Sequence, residues 1–479
     1  MRCACSQNTS VNPWPAPGRS VLSFSSFSRV WIYWWQSLLE PSRHERVWHQ
    51  CWRCVIKQSQ AYRKDGRSYR RLAWLREADL DRSYRCREGE PLPHATPKQV
   101  TVVGGSAAGL YTAGLLARAG ARVDVLERAE ELNPLARTLI VTSRMRDLLG
   151  AAGEPAIVNQ ISRFELFTDG RAANIELTNP DLIIERSTLI RSLAEQAQGA
   201  GARFHFGRRF IKLEPARNGI RVFAERCAGG AIEERETGAV VGADGAASKV
   251  AESAGWPKQP TVPLVQAIVR LPADYPAGTV RVWFIPDDTP YFYWLIPESA
   301  THGALGLIGE DGAATRLALE RFLEKKQFAP IRYQGARIPV YKHWIPVERP
   351  VGQGNVYLVG DAAGQVKVTT VGGIVTGLRG AAGVAESILN GGRSRILKQL
   401  RRELNVHLLI RRGLHHFQQA DYSRLVDLLN ERARRSLSAH TRDEAGRVLW
   451  SICRTQPRFL LVGLRGLLMG GPLTRAEHR

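Results

Sequence analysis

The first residues of this chain that could do chemistry are small ones. Gly104-Gly105-Ser106-Ala107-Ala108-Gly109 follows a β-branched run, Gln99 to Val103, and precedes an Ala/Leu-rich stretch, Leu110 to Ala119, that contains no proline. A strand that turns on Gly104 into a helix offers unpaired N–H groups and the positive end of the helix dipole to a pyrophosphate, and Gly109 lets that helix lie close to the strand. A second apolar run, Gly120 to Leu126, ends in Glu127-Arg128. Glu127 stands 23 positions after Gly104, in reach of the ribose hydroxyls of an adenosine. The middle glycine of the usual G-x-G-x-x-G turn is replaced by Ser106, which adds a small side chain near the phosphates and with it a hydroxyl donor. The chemistry that this set supports is dinucleotide binding.

Two later segments repeat the device of an apolar strand ending in a Gly/Asp turn. Ala239 to Ala243 runs into Asp244-Gly245, and Asn355 to Val359 into Gly360-Asp361, with Gly372-Gly373 and a Leu/Ala-rich helix from Ile374 following. A strand end places Asp361 at the carboxyl edge of a sheet, where open α/β sheets bind ligands. The helix after Gly373 points its free N–H groups at whatever anion lies there. Other chemistry is thinly represented. No metal-ligand set, Ser/His/Asp arrangement or pair of carboxylates stands out, and His205, His302 and His343 are single and read as structural or solvated. Cys51-Trp-Arg-Cys54 has the spacing of a redox or zinc pair, but no second pair or His cluster completes it. Arg137 and Arg144 are candidate anion contacts.

These residues need a parallel sheet to hold them. The fold expected is α/β: a Rossmann-type dinucleotide-binding domain whose strands are discontinuous in sequence, with an antiparallel substrate domain and a C-terminal helical region. Between the last two Gly/Asp turns, Thr279–Ile285, Tyr291–Pro297 and Gly303–Ile308 read as antiparallel strands. A period of two puts Phe292, Trp294 and Ile296 on one face and Tyr291, Tyr293 and Leu295 on the other. One aromatic face makes a wall for an apolar substrate, against the plainer reading of a sheet packing on its own core.

Composition narrows the class. The chain has 479 residues, 44% hydrophobic and 23% charged, which is ordinary for a globular protein, but its net charge of +22 is not. Residues 1–97 carry a surplus of 8 positive charges and residues 393–479 a surplus of 11, so the middle holds about 3. Basic ends on a near-neutral middle suggest attachment to a surface, and no nucleic-acid module appears. Five of the seven cysteines and seven of the twelve tryptophans lie in residues 1–97, without sustained periodicity. The remaining chain shows no disulfide framework and suits a reducing compartment. Internal methionines are Met145 and Met469, neither just ahead of the fold. Residues 1–97 are therefore read as sequence upstream of a non-Met start, the alternative being a disordered or membrane-touching extension.

The three glycine-bearing segments resemble those of FAD-dependent enzymes of the aromatic hydroxylase superfamily. The run Gly360–Ile374 is most similar to the geranylgeranyl reductase branch, and the resemblance covers roughly residues 98–390. It implies that Gly104, Gly105, Ser106, Ala107, Ala108 and Gly109 hold the pyrophosphate of FAD, and that Glu127, with Arg128 beside it, holds the adenosine ribose. It further implies that Arg186 leads a helix near the cofactor after a third flavin-domain strand, that Asp244 belongs to the turn that touches FAD and a nicotinamide donor, and that Gly360-Asp361 binds the ribityl or pyrophosphate part. The N–H groups of Gly372, Gly373 and Ile374 would face the flavin pyrimidine. A family Tyr-x-Trp-x-Phe-Pro stretch falls on Phe292, Trp294, Ile296 and Pro297, with Gly306 at one family glycine and Ile308 at another. Departures are Val368 for a family proline and Val371 for a family glycine, and the 133–144 region lacks the cysteine that some reductases carry. Flavin halogenases share a similar Trp-x-Trp-x-Ile-Pro stretch but need an early lysine, and none occurs between Lys98 and Lys212.

The resulting expectation is an FAD enzyme that reduces carbon–carbon double bonds of an apolar, isoprenoid-type small molecule or lipid, recharged by NAD(P)H or another low-potential donor. The alternatives are an FAD monooxygenase using NAD(P)H and O₂, and a non-catalytic, membrane-associated flavin protein. The FAD domain is expected in segments 98–150, 183–262 and 350–390, the substrate domain at 263–349 and a basic helical region at 391–479. The protein is expected in the cytoplasm, with the apolar run Phe459–Met469 as an interfacial helix on an anionic membrane surface or as a cap on the flavin domain. No nucleic acid and no obligate protein partner are expected.

Overall fold

The computed structural model describes residues 99–469. The readings of the tryptophan-rich start, of the first five cysteines and of the true N-terminus lie outside those residues. Within them, β-branched runs become strands buried on both faces, as parallel sheets require. The first sheet has six strands in the order β16 (Glu348–Val351), β17 (Gly354–Leu358), β10 (Ala239–Gly242), β1 (Gln99–Val103), β2 (Arg122–Leu126) and β6 (Arg203–His205). All its pairings are parallel except β16–β17. Val100, Val102, Val125, Val240, Val241, Val356 and Leu358 form its core and are shut off from solvent. Helix α1 (Ala107–Arg118) leaves β1 and packs against two later helices, described below.

A larger sheet stands beside this domain. Its order is β15 (Pro330–Pro339), β11 (Thr261–Arg270), β14 (His302–Ile308), β13 (Tyr293–Pro297), β12 (Thr279–Trp283), β4 (Ile157–Thr168), β5 (Arg171–Glu185) and β3 (Thr138–Val141). Its pairings are antiparallel except β12–β4. Three expectations are corrected here. The substrate-side sheet is not confined to residues 263–349, because β3, β4 and β5 bring in residues 138–185. For the same reason the strand before Arg186 is β5 of this sheet and not a third strand of the nucleotide sheet. The aromatic strands are also shorter than expected, since the ladder stops around the Pro286–Pro290 turn, where the prolines have no N–H to donate. A three-stranded antiparallel sheet, β7 (Arg208–Ala216), β8 (Gly219–Arg226) and β9 (Ile232–Thr237), completes the β-structure of the described residues.

The helices follow from local signals. After α1 come the short α2 (Arg144–Leu149), α3 (Arg186–Gly199) and the short α4 (Lys249–Ser253). Next, α5 (Gly312–Lys325) covers the outer face of the large sheet, stacking Phe322 on Tyr293 at 4.2 Å between ring centres. Helix α6 (Ile374–Leu389) packs beside α1, which also touches α3. The basic C-terminal region forms α7 (Arg395–Leu414), α8 (Gln419–Asp427), α9 (Glu431–Ser438), α10 (Ala445–Thr455) and α11 (Arg458–Met469). Helix α11 packs on α7 so closely that a Cβ on Gly466 would stand 2.5 Å from the Gly413 carbonyl oxygen. Arg465, which interrupts the apolar run, pairs with Asp421 of α8 at 2.9 Å. Among the described residues no helix is long and apolar enough to cross a membrane.

Candidate functional site

The turn after β1 is built by glycine geometry. Gly104 has φ +105° and donates its N–H to the Leu126 carbonyl at 2.8 Å, and a Cβ there would stand 2.6 Å from the Ala243 carbonyl oxygen. Gly109 sits five residues later, in the first turn of α1. A Cβ on it would lie 2.6 Å from the Gly104 oxygen and 2.7 Å from the Ala243 side chain, so only glycine lets α1 approach β1 and β10 this closely. Ser106 caps α1: its Oγ accepts from the Gly109 N–H at 3.2 Å. That capping refines the expectation of a hydroxyl aimed at phosphate, because the oxygen serves the helix while its proton stays available. Glu127 accepts from the Gly105 N–H at 2.6 Å and from the Ala129 N–H at 3.0 Å, which fixes its carboxylate over the turn.

These residues face one cavity of about 1020 Å³. Gly104, Gly105, Ser106, Ala107 and Ala108 line it, with Glu127 and Arg128 beyond them. Asp244, Gly360, Asp361, Gly372, Gly373, Ile374 and Arg186 line it from other parts of the chain. Gly109 alone of the expected cofactor residues does not reach the cavity; it works from behind, as a spacer. The Asp244 carboxylate is engaged within its own turn. It accepts from Ser248 Oγ at 2.5 Å and from the Lys249 and Val250 N–H groups at 2.7 and 3.1 Å, so one oxygen caps α4 and the other holds its N-cap serine.

Asp361 is different. Among the described residues its carboxylate accepts no hydrogen bond and has no cation within the 4.0 Å of an ion pair. Burial pushes its pKa up, while the charges of Arg137 and Arg186 pull it down. Burial in turn pushes the Arg137 guanidinium down to about 10, helped by Arg186 and opposed by Asp361, and its buried Nε has no partner. Arg186 opens α3, whose cap is Glu185. Burial raises the Glu185 pKa, but hydrogen bonds from Ser187, Thr188 and the Arg137 N–H outweigh it and hold the carboxylate down to about 2. Helix α6 starts at Ile374 with no side-chain cap, and a Cβ on Gly373 would stand 3.2 Å from an Asp361 oxygen. An unpartnered carboxylate, an unpartnered arginine nitrogen and an uncapped helix start thus meet at one wall. A ligand with hydroxyls, phosphates and a polar ring would satisfy them, and the residues present fit FAD. Val371 has φ +49°, a left-handed conformation that favours glycine and strains a β-branched residue.

The opposite wall is apolar. Trp294 and Ile296 of β13 line the cavity with Phe292, joined by Phe164, Leu264, Val280, Val282 and Ile308 from neighbouring strands. Tyr293 and Leu295 face the other way, into the layer under α5. The alternation breaks at Tyr291, which joins the Trp294 side, because the chain before β13 has left the strand. Gly306 makes room for the indole: a Cβ there would stand 2.8 Å from Trp294 Cζ2. The Trp294 N–H is buried without a partner among the described residues. Arg137 lines the cavity and Arg144 does not, being drawn to Glu403 at 3.8 Å. Sequence reading missed Lys367, Arg442 and Asp443. Lys367 and Arg442 line the cavity, and the buried Asp443 pairs with Lys367, while Arg442 pairs with Asp181 at 2.6 Å. Lys367 stands in the quoted Gly360–Ile374 run and could have been noticed there; nothing in the sequence marks Asp443.

Comparison with known proteins gives a consistent picture. Residues 98–393 match the family described as FAD binding domain. The chain is 29% identical over 316 residues to geranylgeranyl diphosphate reductase of Rhodobacter capsulatus, covering 63% of this chain and 78% of that one. It is 30% identical over 295 residues to digeranylgeranylglycerophospholipid reductase 2 of Methanothermobacter thermautotrophicus, covering 57% and 73%. In structure it is similar to a geranylgeranyl bacteriochlorophyll reductase-like protein of Thermoplasma acidophilum, with a TM-score of 0.65 at 18% identity over 77% of this chain and 99% of that one. It also resembles p-nitrophenol 4-monooxygenase of Pseudomonas putida, with a TM-score of 0.55 at 18% identity over 76% and 99%.

Proposed function

The chain belongs to the FAD binding domain family, in its geranylgeranyl reductase-like branch, and from this premise we propose that it reduces carbon–carbon double bonds of an apolar, isoprenoid-type substrate. The observation that carries the reading is one cavity with two walls, glycine turns and Asp361 on one side and Trp294, Ile296 and Phe292 on the other. When bound, reduced FAD would supply a hydride to one carbon of the double bond, and a solvent-derived proton would complete the other. The chain's own residues bind, orient and exclude water. The N-termini of α1 and α6 stabilise negative charge on the cofactor. Asp361 takes ribityl or pyrophosphate-side hydroxyls between Arg137 and Arg186, and Glu127 takes the adenosine ribose. The apolar wall keeps the reacting carbons dry and presses the chain of the substrate flat against the cofactor side.

NAD(P)H or another low-potential donor is the proposed reductant. The decisive experiment is anaerobic: dithionite-reduced, FAD-loaded protein is mixed with a C20 prenyl alcohol or diphosphate, and the products are weighed by mass spectrometry. Gain of hydrogen pairs without oxygen supports a reductase. Turnover only in air, with oxygen consumed in step with substrate, supports the monooxygenase reading, which the fold shared with the p-nitrophenol enzyme keeps in play. The described helices α10 and α11 are the proposed contact with a membrane surface, since Trp450 and Leu461 are 46% and 64% exposed on them.

A further inference from the structure

The segment from Gly360 to Ile374 carries a single cation, and that cation is buried. Lys367 is 5% exposed and lines the cavity. Its Nζ pairs with Asp443, itself 1% exposed, whose other oxygen accepts from the Thr142 hydroxyl. Burial pushes the Asp443 pKa up, but Lys367 and Thr142 more than reverse that and hold it far below the usual carboxylate range. The Lys367 N–H donates to the Gly372 carbonyl at 3.2 Å, and Lys367 Nζ lies 3.7 Å from where a Cβ on Gly372 would stand. The ammonium is therefore fixed beside the Gly372-Gly373 backbone, at the start of α6. Its counter-charge comes from 76 positions later in the chain, delivered by the loop between α9 and α10. A buried ion pair is seldom needed for stability, since well-packed apolar side chains serve as well or better. A charge kept there, in a segment whose other cavity-lining residues are uncharged apart from Asp361, calls for a role in the cavity.

We propose that Lys367 sets the reduction potential of the bound flavin, with its ammonium beside the pyrimidine edge of the ring. Asp443 is the positioning residue: it holds the ammonium at that place and moderates its field. Reduction adds negative charge to that edge of the ring, and a fixed cation in a dry site favours the reduced form. The proposal rests on FAD binding and not on the substrate assigned above, so a failed prenyl-reduction assay leaves it standing and its own failure leaves the reductase reading standing.

The test is the potential of the FAD-loaded full chain, equilibrated with a reference dye. Lys367→Met is expected to shift the two-electron equilibrium at least tenfold toward oxidised flavin, about 30 mV. Lys367→Arg stays within threefold of the parent. Asp443→Asn shifts at least threefold the other way. If Lys367→Met does not retain FAD, the double variant Lys367→Met with Asp443→Leu removes both charges together and is expected to shift at least threefold toward oxidised flavin. An unchanged potential in the methionine variants overturns the role of Lys367, and so does an arginine variant that behaves like methionine. An Asp443→Asn potential equal to the parent's overturns the role of Asp443. A purely structural ion pair would lower melting temperature in the single variants and leave every potential where it was.

Discussion

Asp361 and Val371 lie ten positions apart and carry opposite kinds of tension. Asp361 is a carboxylate without a partner among the described residues, flanked by Arg137 and Arg186, and a hydrogen bond to a charged group is worth about 1.5–3 kcal/mol. Asp361→Asn is therefore expected to weaken FAD binding by about 10- to 100-fold. Flavin fluorescence titration measures this, and an unchanged dissociation constant would remove Asp361 from the cofactor site. Val371 holds φ +49°, where a residue with a Cβ is strained by about 1–2 kcal/mol. Glycine relieves that strain but loses up to about 1 kcal/mol through its freer unfolded chain. Val371→Gly should thus gain up to about 1 kcal/mol of stability, while Val371→Ala, unbranched but still bearing a Cβ, gains less. Urea unfolding of both variants checks the pair; a gain in alanine equal to that in glycine would mean the strain is not at the backbone.

Helix starts and close approaches set the site at the scale of elements. Gly109 and Gly114 lie in the same helix, but a Cβ on Gly109 meets backbone at 2.6 Å, whereas one on Gly114 finds its nearest atom at 3.5 Å. Gly109→Ala must lift α1 from the sheet, with a loss of about 1–3 kcal/mol and of FAD retention. Gly114→Ala should be neutral or stabilising by up to about 1 kcal/mol. Equal effects in calorimetry would refute this account of the turn. Helix α3 depends instead on charge. The Glu185 pKa is held at about 2 against an ordinary 4.5, so its contribution to stability is complete above pH 4.5 and disappears as pH falls toward 2. Glu185→Gln should flatten that part of the stability-against-pH curve; identical curves for parent and variant would show that the cap does not matter.

For the whole molecule, the unbalanced feature is the C-terminal region. Arg465 is satisfied by Asp421 and α11 is seated on α7, so the Phe459–Met469 run is in part a structural cap. Outside this contact Trp450 and Leu461 remain exposed, with Arg454 and Arg458 exposed beside them. Burying such a side chain is worth about 1.5–3 kcal/mol, and added basic residues favour anionic lipid. Trp450→Ala combined with Leu461→Ala is expected to weaken sedimentation with phosphatidylserine-containing vesicles at least tenfold, with FAD content unchanged. Parent protein that ignores vesicle charge, or a double variant that binds like the parent, would end the membrane proposal.

Local chemistry made the nucleotide turn, both Gly/Asp strand ends, the α6 start and the Trp294 face legible in the amino-acid order, because each needs only neighbours along the chain: a glycine where φ is positive, a period of two, a β-branched run. The family resemblance then gave FAD and the reductase branch. The rest depended on contacts between distant segments. That β3, β4 and β5 join the large sheet, that Asp244 spends its carboxylate on α4, and that Asp443 reaches Lys367 from 76 positions away could only be settled by the fold. Pairing of strands and neutralisation of buried charge are decided by what comes close in space, and sequence distance carries almost no information about that.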